Sequence, residues 1–236
     1  IADERGDLFC THAAETQAEQ ADIQNRYGKS VIRHLEAYGL LGNRTVLAHC
    51  VHVDDYEISL IAENDTTVVH NPMSNLKLGS GISPTVRLKE AGVRLTIGTD
   101  GAISGNDLDM WLAMRLASGL AKGVSLKPDV FPAKDVLHMA TLNGAEALGQ
   151  KNELGSLEVG KRADFIFLNV NNVHAVPLFD PITHLVFGAG RSDVSDVFVN
   201  GQQVVKGHTL TFHDLDETLD EVMSLMPEIK ESLKNA

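Results

Sequence analysis

Within its first hundred residues the chain repeats one arrangement four times: a short apolar run closes on a His or an Asp. Leu8-Phe9-Cys10 leads to Thr11-His12, Val46-Leu47-Ala48 to His49, Val68-Val69 to His70, and Ile97-Gly98-Thr99 to Asp100. Such a chain must bury each run while leaving its polar end at a rim. Parallel β/α barrels do this, because their functional residues come from the C-terminal ends of several strands.

The segments between the runs carry helical spacing. Residues 7–11, 45–50, 66–70 and 93–99 are expected as strands, and residues 18–28, 30–38, 54–63, 83–91, 107–120 and 132–148 as helices. Alternation of this kind builds βαβ units and a parallel sheet. Gly39 and Gly92 stand where helix C-caps belong, and Gly149 is the expected stop of the last of these helices. Beyond residue 150 the pattern changes. Residues 163–170, 184–187, 194–199 and 203–205 read as strands, residues 155–160 as a tight turn between short strands, and Asn200-Gly201 as a hairpin. Finally, Leu219, Val222, Met223, Met226 and Ile229 repeat at helical spacing. The expected organisation is a barrel-forming part over residues 1–150, a small β module over 151–214, and a C-terminal helix over 215–236.

The net charge of −12 opposes nucleic acid as a main partner, since phosphate binding wants a basic patch. No apolar run is long enough to form a transmembrane helix, and no signal peptide is visible, so a cytoplasmic protein without a membrane partner is expected. The two cysteines, Cys10 and Cys50, both close apolar runs and are expected as buried thiols in a reducing compartment. The opening Ile1-Ala2-Asp3-Glu4-Arg5-Gly6 lacks an initiator Met and reads as the tail of a helix, so the chain is expected to begin inside a longer protein.

The chemistry concentrates at the strand ends. A neutral imidazole at His12 is a good ligand for zinc or iron, and Glu15, three residues on, can carry protons beside it. The bland alternative is a core His followed by a Glu that merely opens a helix. His49 is expected to polarise a bound substrate, whereas His52 is expected to be exposed at a helix start. Asp100 lies between glycines that would let the backbone approach a ligand; a metal would offset the cost of burying its carboxylate. Its alternative, capping the next helix, suits Asp107 or Asp109 better. Residues 70–79 read as a long polar loop in which His70 contacts substrate while Asn75 and Lys77 hold the loop. Ser104 and Asn106 are candidates to line the pocket. His34, His138, His174, His184, His208 and His213 are expected to be structural. The chain carries no phosphate-binding glycine loop and no nucleophile elbow.

Taken together, His12-Ala-Ala-Glu15-Thr16, Ala48-His49-Cys50, His70-Asn-Pro-Met-Ser-Asn-Leu-Lys-Leu, Gly98-Thr99-Asp100-Gly101, residues 106–110, residues 140–145 and residues 155–164 resemble the amidohydrolase superfamily. The likeness is greatest to its branch of 5-methylthioadenosine/S-adenosylhomocysteine deaminases and their cytosine, guanine and triazine-hydrolysing relatives. This resemblance implies an α/β fold: the C-terminal half of a TIM-like (β/α)8 hydrolase barrel with a small β-sandwich module. It implies His12 and Asp100 as ligands of one divalent metal ion, zinc first and iron second. It makes Glu15 the proton shuttle, His49 an assisting group and Asp100 the base that deprotonates water, so that Glu15, His49 and Asp100 are the expected catalytic residues. Glu15, His49, His70, Ser104 and Asp100 are the expected substrate contacts. The implied reaction is hydrolytic deamination of an adenosine-type nucleoside, with attack by metal-bound hydroxide and release of ammonia.

The family's His-x-His pair does not occur here. The chain is therefore expected to depend on an N-terminal barrel half that supplies those ligands. Its expected partner is a small heterocyclic amine, and homo-oligomerisation fits the class. Two alternatives stand beside the deaminase: a triazine-type chlorohydrolase or other heterocycle aminohydrolase on the same scaffold, and a non-catalytic fragment without the metal.

Overall fold

Strands β1 (Phe9–Ala13), β2 (Thr45–His49), β3 (Thr67–His70) and β4 (Arg94–Ile97) pair in sequence order as a parallel sheet. The register sets Ala13 beside His49, Ala48 beside Val69, and His70 beside Ile97, which brings the strand ends level. This is the sheet that the four apolar runs predict. The computed structural model describes residues 5–234, and most of the helix tail expected at Ile1–Gly6 lies outside them.

The chain packs as two units. One runs to Lys161 and takes in Asn171–Arg191; the other comprises Arg162–Val170 and the residues from Ser192 onward. In the first, helices Gln17–Tyr27, Val31–Ala37, Asp55–Glu63 and Thr85–Glu90 follow the expected spans closely, and Met110–Ser125 is shifted toward the C-terminus of the expected 107–120. Their ends are fixed by local chemistry. Asp54 and Glu57 form a reciprocal capping box, with Glu57 N–H donating to Asp54 Oδ1 (2.9 Å) and Asp54 N–H to Glu57 Oε2 (2.8 Å). Asp109 accepts from the N–H groups of Trp111 and Leu112, and it is the cap of that helix in place of Asp100. Gly39 and Gly92 take left-handed φ values of 65° and 84° just past their helices, as a C-cap requires. Ile32, Leu47, Ile61, Val68, Leu88 and Val136 are all fully buried in the core of this unit. Each such side chain contributes about 1.5–3 kcal/mol through its removal from water.

Four expectations change. Residues 70–79 are not a loop: Pro72–Lys77 is a helix with Pro in its first turn, where the missing N–H costs nothing. The expected helix over 132–148 divides into Ala133–Ala140 and Leu142–Ala147. It breaks at Thr141 (φ −132°, ψ −87°), whose hydroxyl donates back to Leu137 O at 2.7 Å. Residues 184–187 are not a strand. His184–Gly188 is a π-helical turn in which Val186 is buried, and Arg115 donates to the carbonyls of Val186 and Ala189. A side chain at 188 would sit 2.5 Å from His184 Nδ1, so this turn needs Gly188. Lastly, Cys10 is exposed and only Cys50 is buried, because Cys10 and His12 alternate onto the open face of β1.

In the second unit β5 (Phe165–Leu168), β6 (Val194–Val199), β7 (Gln202–Lys206) and β8 (Thr209–Leu210) form one antiparallel sheet. Asn200 and Gly201 join β6 to β7 with φ values of 51° and 78°, the double positive φ of a tight hairpin. The rings of Phe165, Phe167 and Phe198 cluster on this sheet, Phe165 stacking on Phe198 at 4.6 Å. The turn at 155–160, in the first unit, follows the helix Leu142–Ala147 and not a strand, contrary to expectation. The C-terminal helix spans Leu215–Lys234, with none of its residues buried.

Candidate active site

The strand ends meet at one edge of the parallel sheet, and the backbone there is unusual. Ala14 (φ 53°), His49 (φ 76°), Cys50 (φ 45°) and Asp100 (φ 61°) all take left-handed conformations that side chains disfavour. Such positions cost about 1–3 kcal/mol each and gather at functional sites. They turn the side chains at three strand ends toward one another.

His49 is at the centre, with 1% of its surface exposed. Its Nε2 lies 3.7 Å from Glu15 Oε2 and 4.0 Å from Asp100 Oδ2. The His12 ring, exposed on β1, is 5.3 Å from the His49 ring. Thus His12, Glu15, His49 and Asp100, which stand far apart in the chain, are brought together. Glu15 does not cap the following helix: Thr16 does that, accepting from Glu19 N–H. The Glu15 carboxylate instead accepts from Ser80 Oγ at 3.1 Å.

Asp100 accepts from Ser74 Oγ (2.7 Å) and from the Gly101 N–H (2.7 Å). Burial raises its pKa, but hydrogen bonds from Ser74, Gly101 and Ser104, with the charge of His49, outweigh that and hold it below the usual carboxylate range. It is therefore an ionised acceptor at neutral pH. Ser104 is half-buried in the short helix that follows and touches Asp100 directly.

His70 differs from expectation. It is 1% exposed, and its Nδ1 has no hydrogen-bond partner among the described residues. Burial, and next the charge of His49, push its pKa down to about 4, so it is neutral at pH 7 and sealed from solvent. Gly98 also has a different reason from the one expected. A Cβ there would lie 2.4 Å from Asn71 Oδ1, so the glycine admits the Asn71 side chain and not a ligand. His52 is half-buried, and its Nε2 lies 2.8 Å from Ser80 O. Lys77 does not hold its own segment as expected: it donates to Ile103 O at 2.7 Å, in the short helix Ala102–Gly105.

Three contacts had no signal in the sequence. Asn75 Oδ1 lies 2.8 Å from His49 Nδ1 in a fully buried pair; Ser74 and Ser80 bind the two carboxylates. A cleft of about 550 Å³ elsewhere in the same unit is lined by Gln20, His52, Asp54, Glu57 and Arg87, among others, but by none of the four central residues. The chemistry therefore does not coincide with that cleft.

Imidazole nitrogens and a carboxylate oxygen are the donor set that zinc or iron prefers, so His12 and Asp100 fit a divalent ion by type. By number they fall short. Among the described residues no group of three or more His, Cys, Asp or Glu is placed to hold an ion. No described helix is long and apolar enough to cross a membrane.

The chain is 45% identical over 209 residues to the 5-methylthioadenosine/S-adenosylhomocysteine deaminase of Syntrophomonas wolfei subsp. wolfei, an alignment covering 88% of this chain and 48% of that protein. The structure matches an adenosine deaminase from Xanthomonas campestris with bound zinc at a TM-score of 0.94 and 36% identity, over 98% of this chain and 52% of the other. It matches the zinc complex of atrazine chlorohydrolase from Arthrobacter aurescens at a TM-score of 0.89 and 28% identity, over 96% of this chain and 50% of the other. The chain thus spans about half the length of the relatives it resembles. A profile of the amidohydrolase family matches residues 1–204, and with a match of that extent the chain belongs to the amidohydrolase family.

Proposed function

We propose that this chain is the C-terminal half of a metal-dependent deaminase acting on an adenosine-type nucleoside of the 5-methylthioadenosine or S-adenosylhomocysteine class. The observation that carries this reading is the meeting of Glu15, His49 and Asp100 around His49 Nε2, at distances of 3.7 and 4.0 Å. Two carboxylates and an imidazole at one sheet edge suit a reaction in which water adds to a ring carbon and an amine departs. The similarity to enzymes named as deaminases supports the substrate class.

In this reading the parallel sheet is part of a (β/α)8 barrel closed by the other half of the protein, and the antiparallel sheet is one layer of a β-sandwich. His12 and Asp100 would hold the ion together with ligands from that other half. The ion, when bound, lowers the pKa of water toward neutrality. Asp100, ionised at neutral pH, takes a proton from the attacking water. Glu15 moves protons between that water and the ring, so that the amine leaves as ammonia while its carbon gains oxygen. His49 polarises the reacting centre. Ser104 faces substrate beside Asp100, and buried His70 serves as a neutral neighbour of His49. The protein would work in the cytoplasm.

The test is metal content and ammonia release by the full-length protein, with 5-methylthioadenosine, S-adenosylhomocysteine and adenosine offered in parallel. About one ion per chain with ammonia released is expected. The likeness to atrazine chlorohydrolase favours one alternative, displacement of a different leaving group. Metal without ammonia, but with chloride released from a chlorotriazine, would establish that alternative. Absence of metal would overturn both.

A further inference from the structure

Glu15, His49 and Asp100 come from three different strand ends, yet a single short segment holds all three. Ser74 Oγ donates to Asp100 Oδ2 at 2.7 Å. Asn75 Oδ1 lies 2.8 Å from His49 Nδ1. Ser80 Oγ donates to Glu15 Oε1 at 3.1 Å. The three side chains are 0%, 1% and 5% exposed respectively. Polar groups buried to this degree are costly unless paired, so these bonds fix the groups that make them.

The segment is itself held in place. Asn71 O accepts from Asn75 N–H (3.0 Å), Ser74 O from Leu78 N–H (2.9 Å), and Asn75 O from Ser80 N–H (2.9 Å). His52 Nε2 lies 2.8 Å from Ser80 O. Residues 74 to 80 therefore present three side chains from a backbone with little freedom.

The bonds also have a direction. An amide oxygen only accepts, so opposite Asn75 Oδ1 the His49 Nδ1 carries a proton, whether the ring is neutral or charged. The other nitrogen, Nε2, is then the one that faces Glu15 Oε2 and Asp100 Oδ2. Ser80 engages Glu15 Oε1 and leaves Oε2 toward His49.

We propose that Asn75 and Ser80 are positioning residues for the reaction. Asn75 holds the His49 ring through its protonated Nδ1, with Nε2 turned to the reacting atoms. Ser80 holds Glu15 so that Oε2 is the oxygen that moves the proton. The effect on turnover rests on the deaminase reading above; the proton on His49 Nδ1 does not.

The test uses the full-length, zinc-loaded protein and its Asn75→Leu, Asn75→Asp and Ser80→Ala variants. Ammonia release from 5-methylthioadenosine and the ring ¹⁵N resonances of His49 are measured together. Asn75→Leu is expected to lower kcat about a hundredfold, with KM within about threefold and zinc content unchanged. Asn75→Asp, which keeps an acceptor at the same place, is expected to recover most of that loss. Ser80→Ala is expected to cost about tenfold in kcat, the worth of one hydrogen bond of about 1.4 kcal/mol. The ¹⁵N shifts are expected to show a fully protonated Nδ1 in the wild type and a loss of proton occupancy at Nδ1 in Asn75→Leu. A wild-type His49 with no proton on Nδ1 would overturn the proposal, and so would an Asn75→Asp variant as slow as Asn75→Leu. If Asn75→Leu does not fold, the wild-type spectrum with Asn75→Asp and Ser80→Ala still decides the matter. If the wild type releases no ammonia, the deaminase reading fails separately and the spectrum still reports the proton on Nδ1.

Discussion

Replacing His70 by Gln should make the protein less sensitive to acid. Burial lowers the His70 pKa from 6.5 to about 4, with the charge of His49 the second cause. Between those two values the unfolded chain binds a proton that the folded chain refuses. The stability associated with this residue is therefore complete above about pH 6.5 and is lost as pH falls toward 4. At roughly 1.4 kcal/mol per unit, lowering pH from 7 to 5 crosses about 1.5 units of that window and costs about 2 kcal/mol from His70 alone. Gln carries no titrating proton. In the His70→Gln variant the difference between the stabilities at pH 7 and pH 5 should shrink by that amount, whatever the substitution does to absolute stability. The assay is urea unfolding of the wild type and the variant at both pH values, compared through midpoint and slope. A variant that loses as much stability between pH 7 and pH 5 as the wild type would refute the reasoning, because the acid-sensitive group would then lie elsewhere.

Three further outcomes follow from packing and capping. Asp109→Ala removes the acceptor for the N–H groups of Trp111 and Leu112 and should cost about 1–2 kcal/mol in urea unfolding; a change under about 0.3 kcal/mol would show that the cap is dispensable. Gly98→Ala places a Cβ 2.4 Å from Asn71 Oδ1 and should destabilise by about 1–3 kcal/mol, so unchanged stability would mean that Asn71 moves freely. The Cys50 thiol is buried, and burial followed by the charges of Glu19 and Glu57 raises its pKa far above that of a free thiol. Native labelling with a maleimide, read by peptide mass, should leave Cys50 unmodified until denaturant is added; rapid native labelling would contradict its burial.

The strands were legible because each is an apolar run bounded by turn residues, and β1 to β4 differ from the expected spans only at their ends. One helix cap was legible as well, since Asp109 occupies a position where a short carboxylate has a distinct task. The run at 184–187 misled because a short apolar stretch looks alike whether it is a strand or a buried turn, and only its packing separates the two. Residues 72–77 misled for the opposite reason. Their polar side chains look like a loop, but Ser74 and Asn75 are buried against partners distant in sequence. The candidate site was visible as residue types at strand ends, and the structure brings His12, Glu15, His49 and Asp100 together. The bonds from Ser74, Asn75 and Ser80 were not visible, because nothing in local spacing says which polar group a side chain will meet 26 or 65 residues away.

The proposed reaction depends most on Glu15 as the group that moves protons, and Glu15→Gln in the full-length protein tests this directly. Gln keeps the size of the side chain and an oxygen for Ser80 but cannot carry a proton. Metal content and ammonia release from 5-methylthioadenosine should be measured on the same preparation. The expected result is metal bound at the wild-type level with kcat lowered by about a hundredfold or more. Ammonia release at the wild-type rate, with metal equally bound, would show that Glu15 does not carry the proton.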